Sequence, residues 1–387
     1  MTGAPGEVTL TPINPFDHAH MARALRLAER GLFTTQPNPR VGCVIAQGAA
    51  VVGEGWHRRA GEPHAEVFAL RAAGDAARGA TAYVTLEPCA HHGRTPPCAE
   101  ALIAAGVARV VIAAEDPFPK VDGRGIVCLR AAGIAVDIGL MRETARELNR
   151  GFFSRIERGR PWLRVKLAMS LDGRTALANG ASQWITGAAA RNDVQRWRAR
   201  SSAILTGAGT ARADDPRLTV RPEPLSPRER GRGEGSEESK FVPPLRVLLD
   251  ARLDVLAPAA ALLDDSAPTL ILHAAGAEPV HGGYAAAECA AVAVCDGRLD
   301  LGAVLGMLAA RGINELQVEA GPTLVGALLA AGRVDELLLY VAPRLLGHSA
   351  RPLLTLPPLA DIASAPALRV IDQRQIGDDL RLLLRPS

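Results

Sequence analysis

The chain predicts an α/β protein built as two domains. Short β-rich runs alternate with helical periodicity along most of its length, and a charged segment ending in Gly-Arg-Pro at Pro161 separates two such patterns. At 387 residues it also exceeds what one hydrophobic core ordinarily organises. Apolar residues make up 48% and charged residues 22%, enough to bury a core and unlike a disordered composition. A net charge of +3 gives no basic footprint for nucleic acid, and three tyrosines and seven phenylalanines are too few for base-stacking platforms. No uncharged apolar run reaches the ~18 residues that cross a bilayer. Glu7 and Asp17 fall in the first 25 residues without a basic region leading into an apolar one, so a cytoplasmic enzyme is expected. The six cysteines are too dilute for a disulfide scaffold, and Cys43, Cys128, Cys289 and Cys295 read as small apolar residues.

In the first domain, residues 1–158, Asp17 can cap a helix carrying Met21, Leu25 and Ala28, stopped by Gly31. Val41 to Ala46 and Ala50 to Val52 read as a hairpin around Gln47-Gly48. A helix follows from near His64 to Gly74, then a strand at Tyr83 to Leu86, a helix at Cys98 to Ala105 and a strand at Val110 to Ala113. A helix around Gly125 to Ala132 and a strand at Ile134 to Ile138 complete a sheet expected to be largely parallel and covered on both faces. Arg155 to Pro161 reads as the linker.

The second domain, 159–387, opens with Trp162 to Ala168, apolar at alternate positions. Strands are expected at Ala203 to Thr206, Leu245 to Leu249, Thr269 to His273, Leu316 to Glu319 and Glu336 to Val341. Helices are expected at Ala188 to Arg200, Leu301 to Ala310 and Thr323 to Ala331. Residues 222–242, Pro- and Gly-rich with mixed charge, read as a solvated, mobile insertion.

His64-Ala65-Glu66 is followed by Pro88-Cys89 and then Cys98. One imidazole and two thiolates suit zinc, and three protein ligands leave the fourth tetrahedral position to water. Zinc lowers the pKa of that water to about 7. Glu66, two residues from the histidine, can take the water's proton and pass it to a leaving amine. Pro96-Pro97 start a helix whose N-terminus would favour the Cys98 thiolate. A fourth ligand from His91 or His92 would instead close the site into a structural one, or the three residues could never meet. Zinc nucleobase deaminases carry this H-x-E and Pro-Cys combination. Here eight residues separate the cysteines, where many such deaminases have two.

Asn38-Pro39-Arg40-Val41-Gly42, Gly55-Trp56-His57, His64-Ala65-Glu66 and Cys89-Ala90-His91-His92-Gly93-Arg94-Thr95-Pro96-Pro97-Cys98 together resemble the deaminase half of the bifunctional riboflavin-biosynthesis deaminase/reductase family. Asp116-Pro117 and Gly123-Arg124-Gly125 fit the same resemblance, and so does the long spacing between cysteines. It implies a cytidine-deaminase-like three-layer fold, one zinc held by His64, Cys89 and Cys98, and Glu66 as the catalytic proton shuttle. It also implies that Asn38, His57, His91 and Arg94 touch the substrate, a diaminopyrimidinone carrying a ribosylamino 5-phosphate. Packing or capping is the alternative for His57 and His91.

The second half has no G-x-G-x-x-G after a strand. Glu319-Ala320-Gly321-Pro322-Thr323-Leu324 should end a strand and open a helix, where backbone N–H groups can approach a phosphate; a plain turn explains it as well. Lys166-Leu167-Ala168-Met169-Ser170-Leu171-Asp172-Gly173-Arg174, Ser182-Gln183-Trp184-Ile185-Thr186-Gly187 and Asp214-Asp215-Pro216-Arg217-Leu218-Thr219 resemble the family's reductase half. That implies a dihydrofolate-reductase-like fold, NADPH, and hydride delivery to the ribosyl C1′, which opens the sugar to a ribityl chain. Ala168, Trp184, Thr210, Asp214, Gly321, Pro322, Thr323 and Leu324 would touch the dinucleotide. Lys166, Ser182, Arg198, Leu218, Arg221 and Glu319 would touch the substrate, with Lys166 and Asp214 as candidates for proton handling. Alternatively, Lys166 is a solvated edge-strand lysine and Asp214-Asp215 a capping pair. The expected function is deamination, then reduction, of a phosphoribosylated pyrimidine, with no nucleic-acid or membrane partner and with self-association. The rivals are a zinc-dependent nucleic-acid base deaminase with an accessory domain, and a closed zinc module fused to a dinucleotide sensor.

Overall fold

The chain forms two compact units, Met1–Arg158 and Gly159–Ser387. The computed structural model describes residues 14–90, 97–221, 241–280, 282 and 284–387. Among these no helix is long and apolar enough to cross a membrane.

The first unit runs α1 (Asp17–Glu29), β1 (Gly42–Gln47), β2 (Ala50–Trp56), α2 (Ala65–Ala73), β3 (Thr81–Val84), α3 (Cys98–Ala105), β4 (Arg109–Ile112), α4 (Arg124–Ala131), β5 (Ala135–Ile138), α5 (Arg142–Leu148) and α6 (Arg150–Arg158). Its five strands lie in the order β2-β1-β3-β4-β5. Alternation along the strands makes three layers. Cys43, Ile45, Val84 and Ile112 pack under α2, α3 and α4, whereas Val44, Ala46, Tyr83 and Val111 pack under α1 and α6. The expected largely parallel sheet is in fact mixed. β3, β4 and β5 are parallel, but the hairpin at Gly48 reverses β2, and β1 pairs antiparallel with β3.

Three further expectations need correction. Asp17 does not cap α1: its carboxylate turns into the fold, accepting from Tyr83 Oη at 2.7 Å and from Arg109 Nη1 and Nη2 at 2.9 Å each. The charged run at Arg155–Arg158 is not linker but the end of α6, whose Phe152 and Phe153 are buried. Lys166 is not on an edge strand, as the second unit makes plain.

α2 approaches the sheet unusually closely. A Cβ on Gly53 would stand 2.3 Å from Ala69 O, and one on Gly55 would stand 2.6 Å from Ala65 O and 2.5 Å from Phe68 Cβ. The helix answers with Ala65, Ala69 and Ala73 on that face. This contact fixes the first turn of α2, where His64 and Glu66 lie.

The second unit contains β6 (Trp162–Ser170), β7 (Arg174–Ala176), α7 (Ala188–Arg200), β8 (Ala203–Gly207), α8 (Ala208–Asp214), β9 (Leu245–Leu249), β10 (Thr269–Ala274), β11 (Glu288–Val292), β12 (Val294–Cys295), β13 (Arg298–Leu299) and α9 (Leu301–Ala310). It continues through β14 (Glu315–Val318), α10 (Pro322–Ala330), β15 (Glu336–Ala342), β16 (Arg351–Pro352), β17 (Leu368–Ile376) and β18 (Asp379–Pro386). The main sheet has the order β11-β10-β9-β8-β14-β6-β15-β18-β17, parallel up to β15 and antiparallel at its last two strands. α9 and α10 pack on one face around Leu163, Val165 and Val318; α7 packs on the other around Leu338 and Tyr340. β6 is central, so Lys166 stands between β14 and β15. Of the 222–242 insertion only Phe241 and Val242 are among the described residues.

Gly55→Ala should destabilise the Met1–Arg158 unit by about 1–3 kcal/mol through overpacking against α2. Denaturant unfolding measures this, and an unchanged midpoint would contradict the close-contact reading.

Candidate active sites

In the first unit three elements bring their donors together. His64 stands just before α2, Cys98 is the first residue of α3, and Cys89 lies in the loop after β3. Their ligand atoms all lie within 4.8 Å of one another. His64 Nδ1 is 3.3 Å from Cys98 Sγ and 3.6 Å from Cys89 Sγ, so Nδ1 is the nitrogen that faces the sulfurs. The N-terminus of α3 favours Cys89 rather than Cys98, correcting the expectation: the Cys98 amide donates to Cys89 Sγ at 3.4 Å. Hydrogen bonds from Cys98 and His64 hold the Cys89 thiol well below the usual range, while Cys98 is pushed up by its bond to Cys89 and by burial. His64 is raised to about 9, first by its hydrogen bond to Cys89 and despite burial.

Glu66 is 3% exposed, and its Oε2 has no hydrogen-bond partner although it is buried. Burial raises its pKa, the Cys89 charge adds to this, and His64 opposes it. A carboxylate oxygen left unpaired beside one nitrogen and two sulfur donors fits a site completed by a zinc ion and water.

Asn38 and His57 are brought together beside this cluster. Asn38 Nδ2 donates to His57 Nε2 at 3.1 Å, and His57 Nδ1 donates to Pro63 O at 3.1 Å. Both ring nitrogens are therefore engaged, and burial lowers the pKa of the ring. His57 orients Asn38, whose amide is the more accessible of the two. His91 and Arg94 lie outside the described residues. Motif reading missed Glu87. It is 4% exposed and accepts four backbone N–H groups, from Asp116, Gly123, Gly125 and Ile126. No local motif marks it: Glu87 lies three residues past β3, and its backbone donors come from 29 to 39 residues further along the chain.

The second unit has a cleft of about 1970 Å³ at the carboxyl ends of its parallel strands. That is about twice the upper end of a single-ligand pocket, so two ligands fit side by side. All the residues singled out in this half line it: Lys166, Ala168, Ser182, Trp184, Arg198, Thr210, Asp214, Leu218, Arg221, Glu319 and Gly321 to Leu324. The first turns of α8 and α10 border it together, joined by Gly321 N donating to Thr210 Oγ1 at 3.0 Å. Arg191 stacks on the exposed Trp184 ring at 4.6 Å. Leu218 commits its side chain to the core with Ile204 and Leu248; Asp214 is the last residue of α8, and Asp215 caps it in the left-handed region.

Arg198 and Glu319 are paired with each other. Arg198 Nε and Nη2 donate to the two Glu319 oxygens at 2.7 and 2.8 Å, Nη1 donates to Thr219 O, and Gln317 Nε2 adds a bond to Glu319 Oε1. Burial pushes Glu319 up, but the Arg198 charge and hydrogen bonds, with Lys166 and Gln317, outweigh it and hold the carboxyl down at about 2. Lys166 is lowered by burial, with Glu319 opposing.

Comparison with known proteins agrees over most of the chain. Residues 161–382 match the RibD C-terminal domain, and residues 15–114 match the cytidine and deoxycytidylate deaminase zinc-binding region. Riboflavin biosynthesis protein RibD of Escherichia coli is 50% identical over 368 residues, covering 95% of this chain and 99% of that protein. The chain belongs to the RibD family. Acinetobacter baumannii RibD superposes with a TM-score of 0.86 at 44% identity, over 96% of this chain and 99% of that one. A Thermotoga maritima structure, described as a diaminohydroxyphosphoribosylaminopyrimidine deaminase/5-amino-6-(5-phosphoribosylamino)uracil reductase, gives 0.82 at 31% identity over 96% and 99%. The chain is thus a riboflavin-pathway enzyme with a cytidine-deaminase-like zinc-binding domain and a dihydrofolate-reductase-like reductase domain, acting on small molecules.

A carboxylate whose folded pKa lies below its unfolded value adds stability that is present above about 4.5 and lost as pH falls toward about 2. Glu319→Gln should therefore lower the melting midpoint most above pH 4.5. The gap to the unsubstituted chain should close as the pH is lowered further, and thermal melts across pH would show a constant gap if the Arg198 pair did not hold Glu319 ionised.

Proposed function

We propose that the chain hydrolytically deaminates 2,5-diamino-6-(5-phosphoribosylamino)pyrimidin-4(3H)-one and then reduces the ribosyl group of 5-amino-6-(5-phosphoribosylamino)uracil to ribityl with NADPH. The observation that carries the first step is Glu66, buried with an unpartnered Oε2 against the His64, Cys89 and Cys98 cluster. Those three residues would hold a zinc ion, with His64 Nδ1 and the two Sγ atoms as the donors that face one another. Bound there, zinc makes water acidic enough to be a nucleophile at neutral pH. Glu66 Oε2 takes the proton that the water loses and gives it to the departing 2-amino nitrogen, so water and amine become carbonyl and ammonia. Burial raises the Glu66 pKa and lets the carboxyl hold that proton between the two transfers. Asn38, oriented by His57, holds the pyrimidine edge, and His91 and Arg94 are assigned to the same substrate.

In the second unit NADPH supplies the hydride to the ribosyl C1′. The first turns of α8 and α10 would receive the dinucleotide phosphates, with Ala168, Trp184 and Asp214 also lining the cleft. Lys166 faces the substrate, and Arg198 and Glu319, locked together, set its electrostatic surroundings. Ser182, Leu218 and Arg221 complete the substrate's side. The nucleic-acid deaminase reading is not favoured: it leaves the reductase domain without a role and a balanced charge without a basic channel. The edge strand β17, with Leu368, Val370 and Ile371 exposed, supports self-association.

Glu66→Gln should cut ammonia release by at least about 100-fold. Reduction of supplied deaminated intermediate should persist, and zinc chelation should have the same split effect. Loss of both activities by either treatment, with the fold intact, would contradict separate sites.

A further inference from the structure

We infer that Glu87 is a positioning residue for the deaminase centre, registering the Cys89 loop against the turn that leads into α4; this rests on the deamination reading above. Its carboxylate is saturated. Oε2 accepts from Asp116 N at 3.3 Å and Gly123 N at 3.1 Å, and Oε1 accepts from Gly125 N at 2.9 Å and Ile126 N at 3.3 Å. With every bond going to main-chain amides, Glu87 is neither a metal ligand nor a base. It is the anion that the N-terminus of α4 calls for, supplied from inside the fold.

What it joins gives the role. One residue on, Pro88 O touches Gly125 so closely that a Cβ there would stand 2.0 Å away, which explains the glycine in Gly123-Arg124-Gly125. Two residues on is Cys89, whose O accepts Ala99 N at 3.1 Å and whose Sγ accepts Cys98 N. The sulfur is therefore clamped from two sides, by α3 directly and by α4 through Glu87. The same carboxylate holds the main chain of Asp116, whose buried side chain turns back to accept Phe118 N at 2.8 Å. One side chain thus ties the strand-to-loop segment that carries Cys89 to the backbone at Asp116 and at the start of α4. Local sequence does not announce it, because the four donors lie 29 to 39 residues away.

The test uses the full zinc-loaded chain and its Glu87→Gln variant, which keeps the size but turns one acceptor into a donor facing two N–H groups. Amide hydrogen exchange should show loss of protection at Asp116, Gly123, Gly125 and Ile126. Zinc retention against a chelator and deaminase kcat/KM should each fall by about 10- to 100-fold, and the melting midpoint should fall with them because buried N–H groups lose their acceptor, while reductase activity stays close to that of the unsubstituted chain. Glu87→Asp, which keeps the charge, should lie between the two and serves if the glutamine variant does not fold. Unchanged zinc retention and kcat/KM in the folded variant, or a lowered melting midpoint as the sole effect, would overturn the assignment. An unsubstituted chain that releases no ammonia would instead overturn the deamination reading beneath it.

Discussion

The convergence of one imidazole and two sulfurs governs the first unit. Three donors within 4.8 Å of one another, with a buried carboxylate beside them, are an expensive arrangement unless a cation completes it. The fold holds them by short-range contacts that tolerate little substitution. Gly53 and Gly55 let α2 sit almost on the strand beneath it, Cys98 begins α3, and the α3 amides reach back to Cys89. The donors are thus placed by the starts of helices, whose positions are set by packing of alanine and glycine rather than by large side chains.

The second unit solves a different problem. Its parallel strands end at a common edge, and the cleft there is floored by polar side chains on central strands, which would be costly if unpaired. Arg198 and Glu319 satisfy one another across the sheet face, and deeper on that face Arg164 is fully buried between Glu315 and Glu336. Lys166 lines the same cleft, close enough to Glu319 for the two charges to act on each other. The two helix starts at the other wall present backbone N–H groups, which suits a ligand carrying phosphates.

Much of this was legible in the residues, and the exceptions share a cause. Helices with strong periodicity or clear stops were read to the residue, as at Cys98–Ala105, Ala188–Arg200 and Leu301–Ala310. The residues whose donor atoms the structure brings together were legible because His64 and Glu66 are two residues apart and Pro88-Cys89 is a recognisable pair. What escaped depends on partners distant in the chain. Asp17 looked like a helix cap because its partner Arg109 is 92 residues away, and Arg155–Arg158 looked like linker because the buried Phe152 and Phe153 precede it. β17 escaped since Arg369, Asp372 and Arg374 interrupt its apolar pattern on a solvated edge. The alternative of a solvated edge-strand Lys166 falls only with the strand order, which makes β6 central.

The account turns on the zinc position left open to solvent. Zinc-edge X-ray absorption of the loaded protein counts sulfurs and imidazoles directly. The expected result is two sulfurs at about 2.3 Å, one imidazole at about 2.0 Å and a fourth light atom that is not imidazole. Two imidazoles in the shell, the second from His91 or His92, would mean a closed structural ion and would contradict the catalytic reading.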